Sequence, residues 1–195
     1  MMMVSGGKMA RLAIIAGIAA VAGCGSQDIV TGPIPDDNLR AVLKEQIDTS
    51  GGSLTPELIE EANLQVLYAD ERGITDLRGI EYASGLTRLS LDRNSITDLT
   101  SIAGLTELVY LSAEGNAIGS VEALSGLTKM ENLDLYNNSV ADLTPIANLT
   151  KIRFLSLDSN KIKDIGPLAN FTELETLFLY DNHVKDLSPL ADLEK

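Results

Sequence analysis

The sequence predicts an α/β solenoid, in which copies of one short unit stack on each other. From Leu64 onward the chain repeats with a period of 22 residues, and a fixed period of roughly 20–29 residues indicates a repeat architecture. Apolar and polar residues alternate near the start of each unit, as in Leu89-Ser90-Leu91, which is the pattern of a strand with one buried face. A single strand of this kind cannot bury itself, so the stacked units must share one core.

The first 23 residues predict a secretory signal peptide. Lys8 and Arg11 precede an apolar run from Leu12 to Ala22, and the segment closes on the small residue Gly23. This order of charged, apolar and small residues is typical of signal peptides. The apolar run of about eleven residues is too short for a membrane-spanning helix, which needs roughly 20.

The only cysteine follows this segment directly. The sequence VAGC at residues 21–24 resembles the lipobox of bacterial lipoproteins. The resemblance implies cleavage before Cys24, a diacylglyceryl thioether on its sulfur and acylation of its new amine by chains such as palmitate, which together anchor a protein stably. Residues 24–32 would then be a short tether, and Gly25 is not the aspartate that favours inner-membrane retention, so an outer membrane is expected if the source has one. The alternative is a small buried cysteine in an ordinary signal peptide.

Residues 33–63 predict a helical cap that covers the first unit. Asp36 or Asp37 is the expected N-cap of a first helix, and Thr55 with Pro56 marks the start of a second. The first helix has an apolar stripe at helical spacing, formed by Leu39, Val42, Leu43 and Ile47. A solenoid needs such a cap because its first unit otherwise exposes the core.

Six units of 22 residues fill positions 64–195, and they begin at Leu64, Leu86, Leu108, Met130, Ile152 and Leu174. Their ninth position is asparagine in five units: Asn94, Asn116, Asn138, Asn160 and Asn182. We predict that these side chains satisfy the backbone groups of the turn that leaves each strand. Arg72 replaces the asparagine in the first unit, which predicts that this unit merges with the cap.

The second half of each unit predicts a short helical turn. Thr144-Pro145, Gly166-Pro167 and Ser188-Pro189 each place an expected cap residue before a proline. Aspartates precede these pairs or the equivalent position: Asp98, Asp142, Asp164 and Asp186. We interpret these aspartates as part of the turn and not as catalytic groups.

The pattern L-x-x-L-x-L-x-x-N-x-I-x-D-L-x-x-L-x-x-L-x-x resembles the leucine-rich repeat. The unit length, the I-x-D-L-x-P-L phrase and the preceding helical cap resemble bacterial internalin-type domains over about residues 33–195. The resemblance implies a horseshoe with a parallel sheet on its concave side, short helical or 3-10 turns on its convex side and an N-terminal helical cap.

In this architecture the third, fifth, seventh and eighth residues of each unit project from the concave face. Six of the eight aromatic residues fall in these columns: Tyr68, Tyr110, Tyr136, Phe154, Phe178 and Tyr180. Aromatic side chains are the usual anchors of protein interfaces, so we interpret this surface as the binding site for a partner. The alternative is that they only pack against cross-strand neighbours.

Charged residues complete the candidate site. The acidic members of the seventh column are Asp70, Asp92, Glu114 and Asp158. Acids in adjacent strands repel one another, which a basic partner or a cation would relieve, although polar residues are also ordinary at this column. Arg88 belongs to the same set of partner-binding candidates, and within the second unit the candidates are Arg88, Ser90, Asp92 and Arg93.

Composition excludes several classes of function. The formal net charge of −13, which becomes more negative by two charges if Lys8 and Arg11 are cleaved off, opposes nucleic-acid binding. It favours cationic partners, metal ions or simply solubility. One cysteine and one histidine, His183, are too few for a structural zinc site, a cysteine redox pair or most catalytic arrangements. We therefore expect no enzyme, no cofactor and no resident metal, and we expect His183 to be a solvated turn residue.

The leading hypothesis is a membrane-anchored, non-catalytic recognition module of the cell envelope, periplasmic or surface-exposed, that binds a protein with a basic patch. Alternatives are an envelope glycan binder and a self-assembling structural lipoprotein. The last unit has no closing cap in view and would expose the core side of Leu177, Leu179, Leu187 and Leu190. Three explanations are open. The chain is a fragment of a longer protein, the charged tail at 192–195 covers the end of the core, or the last unit stacks against a partner.

Overall fold

The computed structural model describes residues 34–47, 49, 52–191 and 193. Two helices come first, α1 at Asp37–Gln46 and α2 at Pro56–Ala62. Six short strands follow: β1 at Val66–Tyr68, β2 at Arg88–Ser90, β3 at Tyr110–Ser112, β4 at Asn132–Asp134, β5 at Phe154–Ser156 and β6 at Thr176–Phe178. This order confirms the predicted α/β solenoid with an N-terminal pair of helices.

The strands form one parallel sheet in sequence order, from β1 to β6. Each residue pairs with the residue 22 positions later, as Val66 does with Arg88 and Leu67 with Leu89. The repeat period of the sequence is therefore the register of the sheet. The central leucines of the first five strands are all fully buried: Leu67, Leu89, Leu111, Leu133 and Leu155. Because side chains alternate along a strand, the residues on either side of each leucine share the concave face.

A 3-10 turn lies on the convex side of every unit. The turns occupy Ile80–Tyr82, Thr100–Ile102, Glu122–Leu124, Thr144–Ile146, Gly166–Asn170 and Ser188–Leu190. In each of the first five turns, the residue at the seventeenth position of the unit points into the core. These residues are all fully buried: Ile80, Ile102, Leu124, Ile146 and Leu168. The core is thus one continuous layer between the sheet and these turns.

The capping of the turns differs from the prediction. Thr144, Gly166 and Ser188 are the first residues of their turns and not the cap residues before them. No side-chain hydrogen bond from Thr144 or Ser188 caps its turn. The acceptor is the aspartate two residues earlier, since the Oδ1 atom of Asp142 accepts from the backbone N–H of Thr144 at 2.8 Å. Asp98, Asp164 and Asp186 make the same contact. Short polar side chains favour this bond to the backbone two residues on, so the structural role of the aspartates is confirmed and the serine/threonine caps were wrong.

The asparagines form the predicted ladder. The Nδ2 atom of Asn160 donates to the carbonyl of Leu135 in the preceding unit at 2.8 Å and to that of Leu157 in its own unit at 3.1 Å. Its Oδ1 atom accepts from the N–H of Val140 at 2.9 Å. The same three contacts recur at Asn94, Asn116, Asn138 and Asn182. Each side chain therefore satisfies backbone groups that the turn leaves unpaired.

The residue before each ladder position has a left-handed backbone. Positive φ angles between 52° and 65° occur at Glu71, Arg93, Gly115, Asn137, Ser159 and Asp181. Non-glycine residues pay about 1–2 kcal/mol for this conformation. The contacts of the next unit compensate, because the N–H of Glu71 donates to the carbonyl of Asp92 at 2.8 Å and that of Arg93 to the carbonyl of Glu114 at 2.7 Å.

One buried carboxylate ties the helical cap to the first unit. Asp36 is the N-cap of α1, and its Oδ1 atom accepts from the N–H groups of Asn38 and Leu39. Its Oδ2 atom accepts from the N–H of Thr75 at 2.9 Å. Burial by itself would raise the pKa of Asp36, but the hydrogen bonds from Thr75 and Leu39 outweigh it and hold the pKa below its ordinary value.

The first unit merges with the cap, as predicted from its missing asparagine. Arg72 occupies that position, and its Nη2 atom lies 2.8 Å from the Oε2 atom of Glu45 in α1. At the other end, the described part of the sixth unit is the least covered. Leu187 is 62% exposed there, and Leu177 and Leu190 are only partly buried.

The ladder predicts a large effect of an isosteric substitution. Asn160→Asp removes all three amide donor contacts of a side chain that is only 7% exposed. We expect a loss of about 3 kcal/mol in the free energy of unfolding, measured by urea unfolding at pH 7 with circular dichroism. Asn137→Asp, at an exposed site with the same charge change, is the control and should cost less than about 0.5 kcal/mol. Equal costs at both sites would contradict a structural ladder.

The carboxylate of Asp36 predicts a pH dependence. Because its folded-state pKa is lowered, the ionised form stabilises the fold above the ordinary aspartate pKa near 3.8, and this contribution disappears as the pH falls through the folded-state value. We expect Asp36→Asn to lower the free energy of unfolding by about 1–3 kcal/mol at pH 7 and by much less at pH 3. Urea unfolding at both pH values checks this, with the exposed Asp37→Asn as control. A cost that does not change with pH would contradict it.

Candidate functional site

The concave sheet presents aromatic side chains to solvent. Four of the six predicted residues are exposed: Tyr68 by 56%, Tyr136 by 39%, Phe178 by 45% and Tyr180 by 82%. The other two, Tyr110 and Phe154, are partly buried on the same face. The structure thus brings the predicted residues together on one surface, which we call the aromatic face and define by these six residues.

Three of the aromatics also pack against neighbours. The rings of Phe154 and Phe178 lie 5.8 Å apart with an interplanar angle of 60°, which is an edge-to-face pair between diagonal positions of β5 and β6. The guanidinium carbon of Arg88 lies 3.8 Å from the ring centre of Tyr110, a cation-π contact. Tyr110, Phe154 and Phe178 therefore take part in packing, whereas Tyr68, Tyr136 and Tyr180 are exposed. Binding of a partner by this face stays a prediction.

Small buried side chains separate the aromatic groups. Ser90, Ser112 and Ser156 occupy the fifth position of their units and are 3–6% exposed. The hydroxyl of Ser90 donates to the Oδ1 atom of Asp70 at 2.6 Å. The expectation that Ser90 presents itself to a partner was wrong, because this hydrogen bond holds it in the sheet. The serines instead form the floor of a shallow surface between the rings.

The acidic column has a structural role that the sequence did not reveal. The Oδ1 atom of Asp70 accepts from the N–H of Asp92 at 2.8 Å, and that of Asp92 accepts from the N–H of Glu114 at 2.9 Å. The Oδ1 atom of Asp158 accepts from the N–H of Tyr180 in the same way. One oxygen of each aspartate is therefore committed to the neighbouring unit. Within the described residues, no hydrogen bond reaches the second oxygen of Asp70 or Asp92.

Arg93 reduces the repulsion within this column. Its Nε atom lies 2.6 Å from the Oε1 atom of Glu71, and its Nη1 atom lies 3.5 Å from the Oε1 atom of Glu114. The hydrogen bond and charge of Glu71 raise the pKa of Arg93, so the guanidinium stays charged. The chain thus supplies part of the positive charge that was expected from a partner.

A shallow depression lies where β4, β5 and β6 begin. It has a volume of about 360 Å³ and is lined by Glu131, Asn132, Arg153, Phe154, Glu175 and Thr176. The Nε atom of Arg153 lies 3.0 Å from the Oε1 atom of Glu175 across this depression. An aromatic edge next to a charged pair suits a polypeptide surface that carries both apolar and polar groups.

Comparison with known proteins agrees with this geometry. A family model described as "Leucine Rich repeats (2 copies)" matches residues 106–148 and 150–192. An internalin (InlF) structure from Listeria monocytogenes shares 28% identity over 86% of this chain and 57% of its own, with a TM-score of 0.64. The chain therefore has an internalin-like fold and carries leucine-rich repeats at residues 106–148 and 150–192.

Two further structures from the same organism resemble this chain. Internalin C2 shares 28% identity over 83% of this chain and 91% of its own, with a TM-score of 0.57. The functional domain of InlJ, which includes a cysteine ladder, shares 24% identity over 79% of this chain and 38% of its own, with a TM-score of 0.67. A comparison with curated protein sequences finds no match.

The described part of the chain contains no group of three histidine, cysteine, aspartate or glutamate side chains placed to bind a metal ion. His183 is exposed, as expected for a turn residue. No helix within the described ranges is long and apolar enough to cross a membrane. The predicted signal peptide at 1–23, Cys24 and the tether at 24–32 lie outside the described residues.

Proposed function

We propose that this leucine-rich repeat protein is a membrane-anchored, non-catalytic recognition module of the cell envelope that binds a protein partner through its aromatic face. The observation that supports the proposal most is the exposure of Tyr68, Tyr136, Phe178 and Tyr180 on one side of a single sheet. Exposed aromatics grouped on one surface are unusual on a monomer and are the residue types that dominate binding energy at protein interfaces.

The fold makes this surface well suited to binding. Every strand keeps the same 22-residue register, so the positions of the aromatic side chains are fixed by backbone hydrogen bonds and not by loops. The edge-to-face pair of Phe154 and Phe178 further restricts both rings. A preorganised surface loses less conformational entropy when a partner binds, which raises affinity.

Charge would select the kind of partner. Along one side of the aromatic face run Asp70, Asp92, Glu114 and Asp158. Each of the three aspartates uses one oxygen within the sheet, which leaves the other able to accept a hydrogen bond from an arginine or lysine of the partner. We therefore propose that the partner surface carries a basic patch next to apolar groups, because the acids would repel an acidic one.

Anchoring would come from Cys24. The sequence around it supports lipidation, and the tether at 24–32 reaches at most about 30 Å when extended. The helical cap would then face the membrane, and the aromatic face would sample partners in the envelope close to the lipid surface. If the source has an outer membrane, we place the protein there.

If the aromatic face binds the partner, replacing its exposed tyrosines should abolish capture of that partner. The chain from residue 24 with Cys24→Ser is immobilised and compared with the same chain carrying Tyr68→Ser, Tyr136→Ser and Tyr180→Ser. These three tyrosines are exposed, so their replacement should leave the free energy of unfolding within about 1 kcal/mol. We expect retention of the partner from an envelope extract to fall at least tenfold.

A matched control carries three serine substitutions on exposed residues away from the sheet, at Lys44, Lys129 and Lys151. It should retain the partner. Treatment of the extract with a protease before capture distinguishes a protein partner, whose retention is lost, from a glycan, whose retention survives. Equal retention by the tyrosine variant and the unaltered chain would contradict binding through the aromatic face.

The anchor predicts a separate result. Full-length chain expressed in a bacterium and labelled with an alkyne analogue of palmitate should incorporate the label and fractionate with membranes. Cys24→Ser should remove both the label and the membrane fraction, whereas the neighbouring Ser26→Ala should change neither. Label that persists in the Cys24→Ser protein would contradict lipidation at this residue and would leave binding by the aromatic face unaffected.

A further inference from the structure

A second charged surface lies on the segment that leaves each strand. The tenth and twelfth residues of the first four units are small and uncharged: Gly73, Thr75, Ser95, Thr97, Ala117, Gly119, Ser139 and Ala141. In the last two units the same positions hold Lys161, Lys163, His183 and Lys185, and all four are exposed. We call these four residues the basic patch. The change of residue type from the fourth to the fifth unit is complete, although the fold requires none.

Backbone hydrogen bonds fix the geometry of the basic patch. The N–H of His183 donates to the carbonyl of Ile162 at 2.8 Å, as the N–H of Lys161 does to that of Val140. The segments 161–163 and 183–185 are therefore neighbours joined by a backbone hydrogen bond. Residues two apart along an extended chain are about 6.6 Å apart. The four side chains thus originate from a two-by-two grid.

The lysines of the patch differ from the arginines in having no carboxylate partner. All six arginines of the described ranges are engaged, because Arg88 stacks on Tyr110 and the others pair with carboxylates: Arg40, Arg72, Arg78, Arg93 and Arg153. No carboxylate of a described residue lies within 4 Å of the amines of Lys161, Lys163 or Lys185. A depression of about 500 Å³ opens among Lys163, His183, Lys185 and Asp186.

The nearest acids each use one oxygen to cap a turn. Asp164 and Asp186 follow Lys163 and Lys185 in the chain, and their Oδ1 atoms accept from the N–H groups of Gly166 and Ser188. Positive charges this close together repel one another. An anionic ligand would relieve this repulsion, since no carboxylate of a described residue forms an ion pair with these lysines.

The acids around the basic patch favour a narrow anionic ligand over a broad anionic surface. The whole chain carries a formal charge of −13, and capping aspartates continue beside the patch into earlier units at Asp142 and Asp98. A broad anionic surface such as a membrane would meet these acids, whereas a narrow ligand would contact only the patch. In an extended peptide, side chains at alternate positions lie on one face about 6.6 Å apart, which matches the spacing within each row of the patch.

We infer that the basic patch binds an extended acidic peptide segment whose carboxylates alternate along the chain. Such a segment runs along residues 161–163 and 183–185, with its carboxylates between the two rows of the patch. This site is distinct from the aromatic face, because the patch residues follow the turn at the end of each strand. One solenoid then offers an acidic and aromatic surface to a basic partner and a basic surface to an acidic segment.

The test uses the chain from residue 24 with Cys24→Ser and two fluorescent octapeptides of equal composition. In one peptide aspartate and serine alternate, and in the other four aspartates precede four serines. The patch variant carries Lys161→Ser, Lys163→Thr, His183→Ser and Lys185→Thr, which are the residues that the second unit already has at these positions, Ser95 and Thr97. The charge-matched control carries Lys44→Ser, Lys129→Ser and Lys151→Ser.

Fluorescence anisotropy at low salt should show the alternating peptide binding at least threefold more tightly than the block peptide. The patch variant should weaken that binding at least tenfold with an unchanged melting temperature, while the charge-matched control should keep it. Equal affinity for both peptides, or equal affinity of the patch variant and the unaltered chain, would overturn the inference. Patch-dependent binding of polyphosphate or phosphatidylglycerol vesicles without binding of the alternating peptide would also overturn it.

Discussion

The side-chain amide at the ninth position of the last five units is the constraint on which the rest of the structure depends. A strand of three residues followed by a sharp turn leaves buried carbonyl and N–H groups, and unpaired buried groups cost about 1–3 kcal/mol each. The amide of Asn160 supplies donors and an acceptor to its own unit and to the preceding one. Each asparagine therefore closes its own turn and joins two units at the same time.

The same arrangement explains how one chain combines core positions that repeat in every unit with surface positions that differ between units. The leucines and asparagines of each unit face the core, while the third, fifth and seventh positions face the concave side and carry no obligation to be apolar. The second aspartate-based ladder, from Asp70 to Asp92 and onward, ties the seventh position partly to the fold. On the concave surface, hydrogen bonds therefore hold the acidic side chains in place, whereas the tyrosine side chains project into solvent.

Much of the candidate site could be predicted from the sequence, because strand alternation places a residue on one face without further information. Tyr68, Tyr136 and Tyr180 illustrate this, since their period alone put them on the concave face. The burial of Ser90 could not be predicted in this way. It depends on the hydroxyl meeting Asp70, a residue of the preceding unit, and such a contact exists only once the register is known.

The sequence by itself determined the solenoid, its register and the asparagine ladder, since each depends on a strict period of 22 residues. Only the tertiary structure decided which oxygen of each aspartate is occupied, that the convex turns are capped by aspartate and that Asp36 joins the cap to the first unit. Among the described residues, it also showed that the six arginines are engaged while Lys161, Lys163 and Lys185 form no ion pair. Periodicity fixes where a residue lies, whereas its partners depend on distances between units.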